Sequence, residues 1–331
     1  MEILGNKKNL DLLKEAFASG RLSHAYLISG PEGSGKKTFA FNAAAGILCE
    51  NGKAEGSLSL CGRCPSCRRA LSGNHPDIIR ITHEKKNTLS VDEIRDQLVR
   101  DVDIKPYYGP YKIYIIPDSG LMPVQAQNAL LKTLEEPPAY VLIFLLADNA
   151  GVLSDTIKSR SIRLDMEALP DETVTAQLRK AGSGEKEAAL IAAFCAGNLG
   201  QALELYKNEA AKELLDECIS FISAIGKKDA LQISAEAALF SESELLFIPD
   251  VIRRWYRDIL VLRSISAGRL YFPGRRDELK AAAGRLSYES INNIFKETDE
   301  ACERLKFNVN PKAVYEALLL RIRSNDQGYR D

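Results

Sequence analysis

The segment Gly30-Pro-Glu-Gly-Ser-Gly-Lys-Lys-Thr38 is the most informative part of this sequence. It follows an apolar run at residues 25–28 and opens a segment of helical character at residues 38–48. A strand, a glycine-rich turn and a helix N-terminus form an anion cradle, because backbone N–H groups point inward and the helix dipole adds positive potential. We therefore predict a phosphate loop at this point of the chain.

The loop departs from the usual phosphate-loop pattern at one position. That pattern is G-x-x-x-x-G-K-[ST], in which the lysine reaches the outer phosphates and the hydroxyl binds Mg²⁺. Lysine stands in the hydroxyl position here, and the threonine comes one residue late. The sequence leaves two alternatives open, weak binding of ATP or ADP and an empty loop. The residues predicted to contact a nucleotide are Gly30, Gly33, Ser34, Gly35, Lys36, Lys37 and Thr38.

Length and composition indicate a globular protein of two or three domains. The chain has 331 residues, of which 45% are hydrophobic and 27% charged. A net charge of −1 disfavours tight DNA binding by the chain alone. No apolar run is long enough to cross a bilayer, and the N-terminus lacks the pattern of a signal peptide. We therefore predict a cytoplasmic protein without membrane contact.

Strand and helix patterns alternate up to about residue 166, and only helical patterns follow. This alternation predicts an α/β domain with a mostly parallel sheet that helices cover on both faces. In the helical remainder, Asn310 is predicted to cap a helix that ends at Ile322. The predicted strands are 25–28, 78–81, 112–116, 141–146 and 162–164, and the predicted helices of this domain are 9–18, 38–48, 90–102 and 124–134.

Four of the seven cysteines fall in one short stretch. Cys61, Cys64 and Cys67 have C-x2-C-x2-C spacing, and Cys49 lies at the end of the helix after the loop. Clustered cysteines in a cytoplasmic protein favour metal, and four thiolates form a closed structural zinc site. We predict that these four residues bind Zn²⁺. The alternatives are an iron–sulfur cluster, which the two arginines after Cys67 disfavour, a redox disulfide and four unrelated thiols.

Three further stretches carry a family resemblance. Residues 21–30 read Arg-Leu-Ser-His-Ala-Tyr-Leu-Ile-Ser-Gly, and residues 128–138 read Asn-Ala-Leu-Leu-Lys-Thr-Leu-Glu-Glu-Pro-Pro. Ser159-Arg160-Ser161 is similar to a Ser-Arg-Cys motif with serine in place of cysteine. Together with the cysteine module, these stretches resemble the clamp-loader subunits of bacterial DNA polymerase III, which are AAA+ proteins. Within that family the delta-prime type is the best match.

The resemblance implies a domain organisation and a set of partners. Residues 1–166 are expected to form the AAA+ domain with an inserted zinc module at 49–67. Residues 167–207 are expected to form a small helical lid, and residues 208–331 an all-α collar for oligomerisation. Within that collar, Trp255 is expected to pack at a subunit interface. The expected partners are gamma/tau-type and delta subunits, and the assembled complex would contact the sliding clamp and primer-template DNA during replication.

The resemblance also indicates a stator rather than a motor subunit. Where motor subunits carry Asp-Glu after a strand, this chain has Pro117-Asp118, and Gly200 stands where the lid arginine is expected. With Lys37 in the hydroxyl position, we predict no ATPase activity of the chain alone. Arg160 is expected to act as an arginine finger on the ATP of a neighbouring subunit. The alternatives are a gamma/tau-type motor of the same polymerase III holoenzyme and a separate zinc-bearing DNA-binding module.

Overall fold

A computed structural model describes residues 3–52, 58, 60–85, 87–242, 248–264, 268–307 and 309–326. The chain divides into two compact units, Met1–Leu169 and Pro170–Asp331, which we call the first and the second unit. The predicted zinc module at 49–67 lies partly outside the described residues, because 53–57 and 59 are not among them. The predicted division of the helical part into lid and collar stays a prediction.

A five-stranded parallel sheet organises the first unit, as the alternating pattern predicts. The strand order is β2-β3-β4-β1-β5, so that β1 lies between β4 and β5. In register, Tyr26 of β1 faces Phe144 of β4 and Ile162 of β5. The strands are β1 (Ala25–Ser29), β2 (Ile78–Arg80), β3 (Lys112–Ile116), β4 (Val141–Ala147) and β5 (Ile162–Asp165).

Helices cover both faces of this sheet, and two separate apolar cores result. On β1, Tyr26 and Ile28 belong to one core and Leu27 to the other, because successive side chains point to opposite faces. The seven residues of β4 are all buried, which explains their continuous apolar run. The helices are α1 (Lys7–Ala18), α2 (Lys36–Ile47), α3 (Pro65–Leu71), α4 (Val91–Ile94), α5 (Val124–Glu135) and α6 (Asp155–Ser159).

The helix predicted at residues 90–102 is shorter than expected. Ser90 and Glu93 form a capping box at its start, but α4 passes into a π-helical turn, Arg95–Val99, and ends there. The Asp101 carboxylate accepts a hydrogen bond of 2.8 Å from Tyr114 Oη and lies 2.7 Å from Lys112 Nζ. Lys112 is 1% exposed. These contacts tie the residues after the π-helical turn to β3.

The second unit is helical throughout its described residues. Trp255 is 1% exposed and packs against Phe272 of the same unit, with ring centroids 5.7 Å apart. The prediction of an interface role for Trp255 is therefore wrong, because its ring is buried within its own chain. Asn310 Oδ1 caps the last helix by accepting from the Ala313 N–H, as predicted, although that helix continues beyond Ile322.

The helices of the second unit follow one another with short connections. The first three helices are short, with 9 to 11 residues each. Among the described residues, no helix of either unit combines the length and the apolar character that a membrane crossing requires. The helices are α7 (Asp171–Lys180), α8 (Glu185–Cys195), α9 (Leu199–Lys207), α10 (Glu209–Ser223), α11 (Ala230–Glu242), α12 (Ile248–Ser264), α13 (Arg276–Arg285), α14 (Tyr288–Lys306) and α15 (Pro311–Asp326).

Candidate functional site

The phosphate loop connects β1 to α2 and has the geometry of an anion cradle. Gly35 is the N-cap residue of α2 and has φ 90°, a conformation that favours glycine. A Cβ on Gly30 would lie 2.8 Å from Met166 Cβ, so a side chain does not fit there. The helix begins at Lys36, two residues before the predicted start. Of the predicted contact residues, Gly33 and Ser34 lie in the turn before α2, and Lys37 and Thr38 belong to the first turn of the helix.

The ammonium group of Lys36 occupies the mouth of this loop. Its Nζ donates to Gly30 O at 2.6 Å, to Pro31 O at 2.9 Å and to Asp148 Oδ1 at 2.7 Å, and Lys36 is only 7% exposed. A phosphate entering the cradle would have to draw this ammonium away from two loop carbonyls. We did not predict the role of Asp148, although it directly follows β4, whose carboxyl end lies beside that of β1.

The residue in the hydroxyl position pairs with the residue in the acidic position. Lys37 Nζ lies 3.2 Å from Asp118 Oδ2, and His83 Nε2 lies 3.6 Å from the same oxygen. Asp118 has φ 55°, which is uncommon for a residue other than glycine. Pro117 precedes it and offers no side-chain ligand. The lysine in the hydroxyl position and the aspartate that replaces the expected glutamate thus contact each other as an ion pair.

The four clustered cysteines come together in the structure. Their sulfur atoms all lie within 4.8 Å of one another, and the Cys61 and Cys67 sulfurs are 3.8 Å apart. Four sulfurs bound at ~2.3 Å to a tetrahedral ion would be ~3.8 Å apart. An iron–sulfur cluster holds several irons and sulfides between its ligands and needs more room. Cys49, Cys61, Cys64 and Cys67 can therefore hold one metal ion, and the geometry is compatible with zinc.

Backbone N–H groups surround these sulfurs. Cys61 Sγ accepts from the N–H groups of Arg63 and Cys64 at 3.4 and 3.3 Å, and Cys64 Sγ accepts from Cys67 N at 3.3 Å. The bonds from Cys64 and Arg63 lower the pKa of the Cys61 thiol to about 6, whereas burial raises the pKa of the Cys67 thiol to about 12. All four cysteines are free, so the structure holds no disulfide among them.

A buried serine and histidine join the cysteine module to the sheet. His75 Nδ1 accepts from the Asp77 N–H at 3.1 Å, so the proton of a neutral ring is on Nε2, which lies 3.0 Å from Ser66 Oγ. Ser66 Oγ in turn donates to Leu48 O at 2.7 Å. Burial lowers the pKa of His75. Because its Nε2 is a donor, His75 cannot take the Ser66 proton, and the group is a structural connection rather than a nucleophile with its base.

Arg160 and the phosphate loop lie at opposite ends of two neighbouring strands. Arg160 is two residues before the start of β5, whereas the loop follows the carboxyl end of β1, and these two strands are parallel neighbours. Arg160 and Glu135 form an ion pair of 2.9 Å on the wall of a cleft of about 790 Å³. We did not predict a role for Glu135, although it lies within the 128–138 signature. The cleft is lined by Ser23, His24, Leu134, Glu135, Glu136, Ser159, Arg160, Ser161 and Ile162.

Comparisons with known proteins agree with these features. The family model described as DNA polymerase III, delta subunit matches residues 5–170. DNA polymerase III subunit delta' of Bacillus subtilis is 28% identical over 95% of this chain and 94% of its own length. Subunit tau of the same organism is 33% identical over 70% of this chain but only 40% of its own length. Subunit gamma of Buchnera aphidicola is 30% identical over 97% of this chain and 94% of its own.

The family match begins before α1 and ends at the close of the first unit, so it includes the phosphate loop, the cysteine cluster and Arg160. The parallel sheet and the helical second unit agree with the predicted AAA+ architecture. The chain therefore belongs to the DNA polymerase III delta-subunit family and is a clamp-loader AAA+ protein.

Proposed function

We propose that this chain is a delta-prime-type stator of the DNA polymerase III clamp loader, and that it supplies Arg160 to the ATP of a neighbouring subunit. The observation that carries the proposal is the ion pair of 3.2 Å between Lys37 and Asp118. Motor subunits of this family are expected to bind Mg²⁺ with a hydroxyl at the Lys37 position and to activate water with a glutamate at the Asp118 position. This chain has an ammonium and the carboxylate that neutralises it.

The ion pair is incompatible with efficient ATP hydrolysis on this chain. Mg²⁺ needs oxygen ligands in octahedral geometry, and the Lys37 ammonium both lacks an oxygen and repels the cation. Pro117 stands where the aspartate that holds Mg²⁺ is expected, and it has no ligand to offer. Each group that stabilises charge in a transition state typically contributes ~10²–10³ in rate, so the combined loss leaves no meaningful turnover. Lys36 can still meet a phosphate, and nucleotide binding without hydrolysis is the most that we assign to the loop.

Overall identity does not separate a stator from a motor, because the chain is similar to both delta' and tau/gamma subunits. The proposal therefore rests on the residues of the loop. The proposed partners are gamma/tau-type and delta subunits in the cytoplasm. The sliding clamp and primer-template DNA would be contacted through the complex, in agreement with the nearly balanced charge of this chain.

The test has two parts. Purified chain with Mg²⁺ and ATP should release no phosphate above background, whereas a gamma/tau-type motor assayed alongside should turn over. The same chain mixed with that motor and a delta subunit should elute as one complex in size-exclusion chromatography. Turnover of the isolated chain at the rate of the motor would assign it to the motor class instead. Failure to co-elute would contradict a clamp-loader stator.

We further propose that Cys49, Cys61, Cys64 and Cys67 bind a structural Zn²⁺. The support is the spacing of their sulfurs and the backbone N–H groups directed at them. A site with four thiolates has no open position, so it stabilises the fold and takes no part in a reaction. Metal analysis of protein purified without added zinc should find about one Zn²⁺ per chain, the number that one tetrahedral site holds. A much lower content, or iron with sulfide, would contradict this.

A further inference from the structure

Contacts within its own chain hold the guanidinium of Arg160, the longest of them from Nη1 to Ser159 Oγ at 3.4 Å. Nη2 lies 2.9 Å from Glu135 Oε1, and Nη1 donates to Thr156 O at 3.2 Å. Thr156 belongs to α6, which ends one residue before Arg160, and Glu135 is the last residue of α5. The planar fork is therefore fixed at both terminal nitrogens by groups from two different helices.

The held guanidinium still has donors to offer. A guanidinium carries five N–H groups, and the contacts with Glu135 and Thr156 use only part of them. The Arg160 side chain is 36% exposed and the Glu135 side chain 47%. Both side chains lie on the wall of the cleft, near the amino ends of β1 and β5. A phosphate group that approached this cleft would meet a guanidinium whose direction is already fixed.

Preorganisation distinguishes this pair from an ordinary surface ion pair. A free arginine loses rotamer freedom when it binds, but a planar fork that neighbours already orient loses less for each hydrogen bond formed. Placement of a charge where the transition state develops it also requires no reorganisation at the moment of reaction. A carboxylate next to the guanidinium could have the opposite effect and withhold it. The open cleft and the remaining donors favour orientation.

We propose that Glu135 is a positioning residue, whose carboxylate orients the Arg160 guanidinium toward the phosphates of a neighbouring subunit. This inference rests on the proposed function, because it requires that Arg160 acts on a partner's ATP. It adds a residue from the 128–138 signature to the site and assigns it an effect on rate. Glu136 provides a matched control, since it lines the same cleft and the structure shows no ion pair for it within the described residues.

The experiment measures kcat and KM for ATP in the complex reconstituted with a gamma/tau-type motor and delta. Glu135→Ala should lower kcat by roughly two- to five-fold, the factor that a partly exposed ion pair contributes, and should leave KM unchanged. Glu135→Gln should retain part of the rate, because its amide oxygen still accepts from Arg160. Glu136→Ala should match the wild type. Thermal unfolding and size-exclusion chromatography of each variant establish that fold and assembly are intact.

The double variant with Arg160→Ala decides between the possible outcomes. Glu135→Ala should have no further effect on kcat once Arg160 is removed. An equal fall in that background, or a wild-type or higher rate for Glu135→Ala alone, would overturn the positioning role while leaving the finger intact. If Arg160→Ala leaves the rate unchanged, the finger itself is refuted and the role of Glu135 with it. Failure of the wild-type chain to assemble would also remove both.

Discussion

Cationic side chains have different surroundings at the two ends of the parallel strands. At the carboxyl end of β1, Lys36 is 7% exposed and its ammonium donates to two loop carbonyls and to Asp148. Near the amino end of β5, the Arg160 side chain is 36% exposed and lines an open cleft. The charge at the phosphate loop is thus directed into the chain, whereas the charge at the cleft is available to another molecule. A chain whose own phosphate loop cannot hold Mg²⁺ could therefore still act on the ATP of a neighbouring subunit.

The largest predicted effect is at the cleft. Arg160→Ala should lower turnover at the one partner site that it faces by ~10³-fold, the usual effect of losing an arginine finger, while the complex still assembles. Arg163→Ala is the matched control, because Arg163 lies on β5, is 60% exposed and pairs with Asp165. ATP hydrolysis by the reconstituted complex measures both variants. Equal ATPase rates for Arg160→Ala and Arg163→Ala would contradict a special role for the cleft arginine.

The next largest effect concerns the cysteine module, which begins where α2 ends. Cys67→Ser should reduce the zinc content well below one per chain and destabilise the first unit by about 3 kcal/mol or more, as loss of a bound metal does. The unfolding midpoint should fall by roughly 6–12 °C, since 1 kcal/mol corresponds to about 2–4 °C in a domain of this size. Differential scanning calorimetry with metal analysis tests this.

Cys195→Ser is the control for that experiment, because Cys195 is a buried free cysteine of the second unit and lies outside the cluster. It should leave the zinc content unchanged. A Cys67→Ser variant that keeps a full zinc complement would show that the remaining three thiols and a water suffice, and the closed site would have to be abandoned.

Much of this arrangement could be predicted because it depends on residues that are close in sequence. The loop, the strands and the cysteine spacing are local patterns, and the structure agrees with them. The contacts of Lys36 with Asp148 and of Arg160 with Glu135 join residues from different elements, so no local pattern indicates them. The π-helical turn at Arg95–Val99 likewise has no local signal in the sequence. The segment that follows it contacts β3 through Asp101.

A smaller effect is predicted at the mouth of the phosphate loop. Lys36→Ala should destabilise the first unit by about 1–3 kcal/mol, because it leaves the carbonyls of Gly30 and Pro31 without their donor. The ATPase rate of the complex should stay within the error of the assay, since the proposed stator does not hydrolyse ATP. Urea unfolding and phosphate release measure the two quantities. A large loss of ATPase with little loss of stability would mean that the loop takes part in turnover after all.

The smallest effect is predicted for the ion pair between Lys37 and Asp118. The Lys37 and Asp118 side chains are 54% and 37% exposed, and partly exposed pairs contribute only about 0.2–1 kcal/mol. Lys37→Thr should therefore change the free energy of unfolding by less than about 1 kcal/mol, and it restores the hydroxyl that the phosphate-loop pattern expects. Titration with a fluorescent ATP analogue should then show binding that Mg²⁺ strengthens, whereas the wild type should show no gain from Mg²⁺. Hydrolysis should stay absent in both, because Pro117 still offers no ligand. Turnover by Lys37→Thr alone would show that this one lysine, rather than the combined departures, keeps the loop inactive.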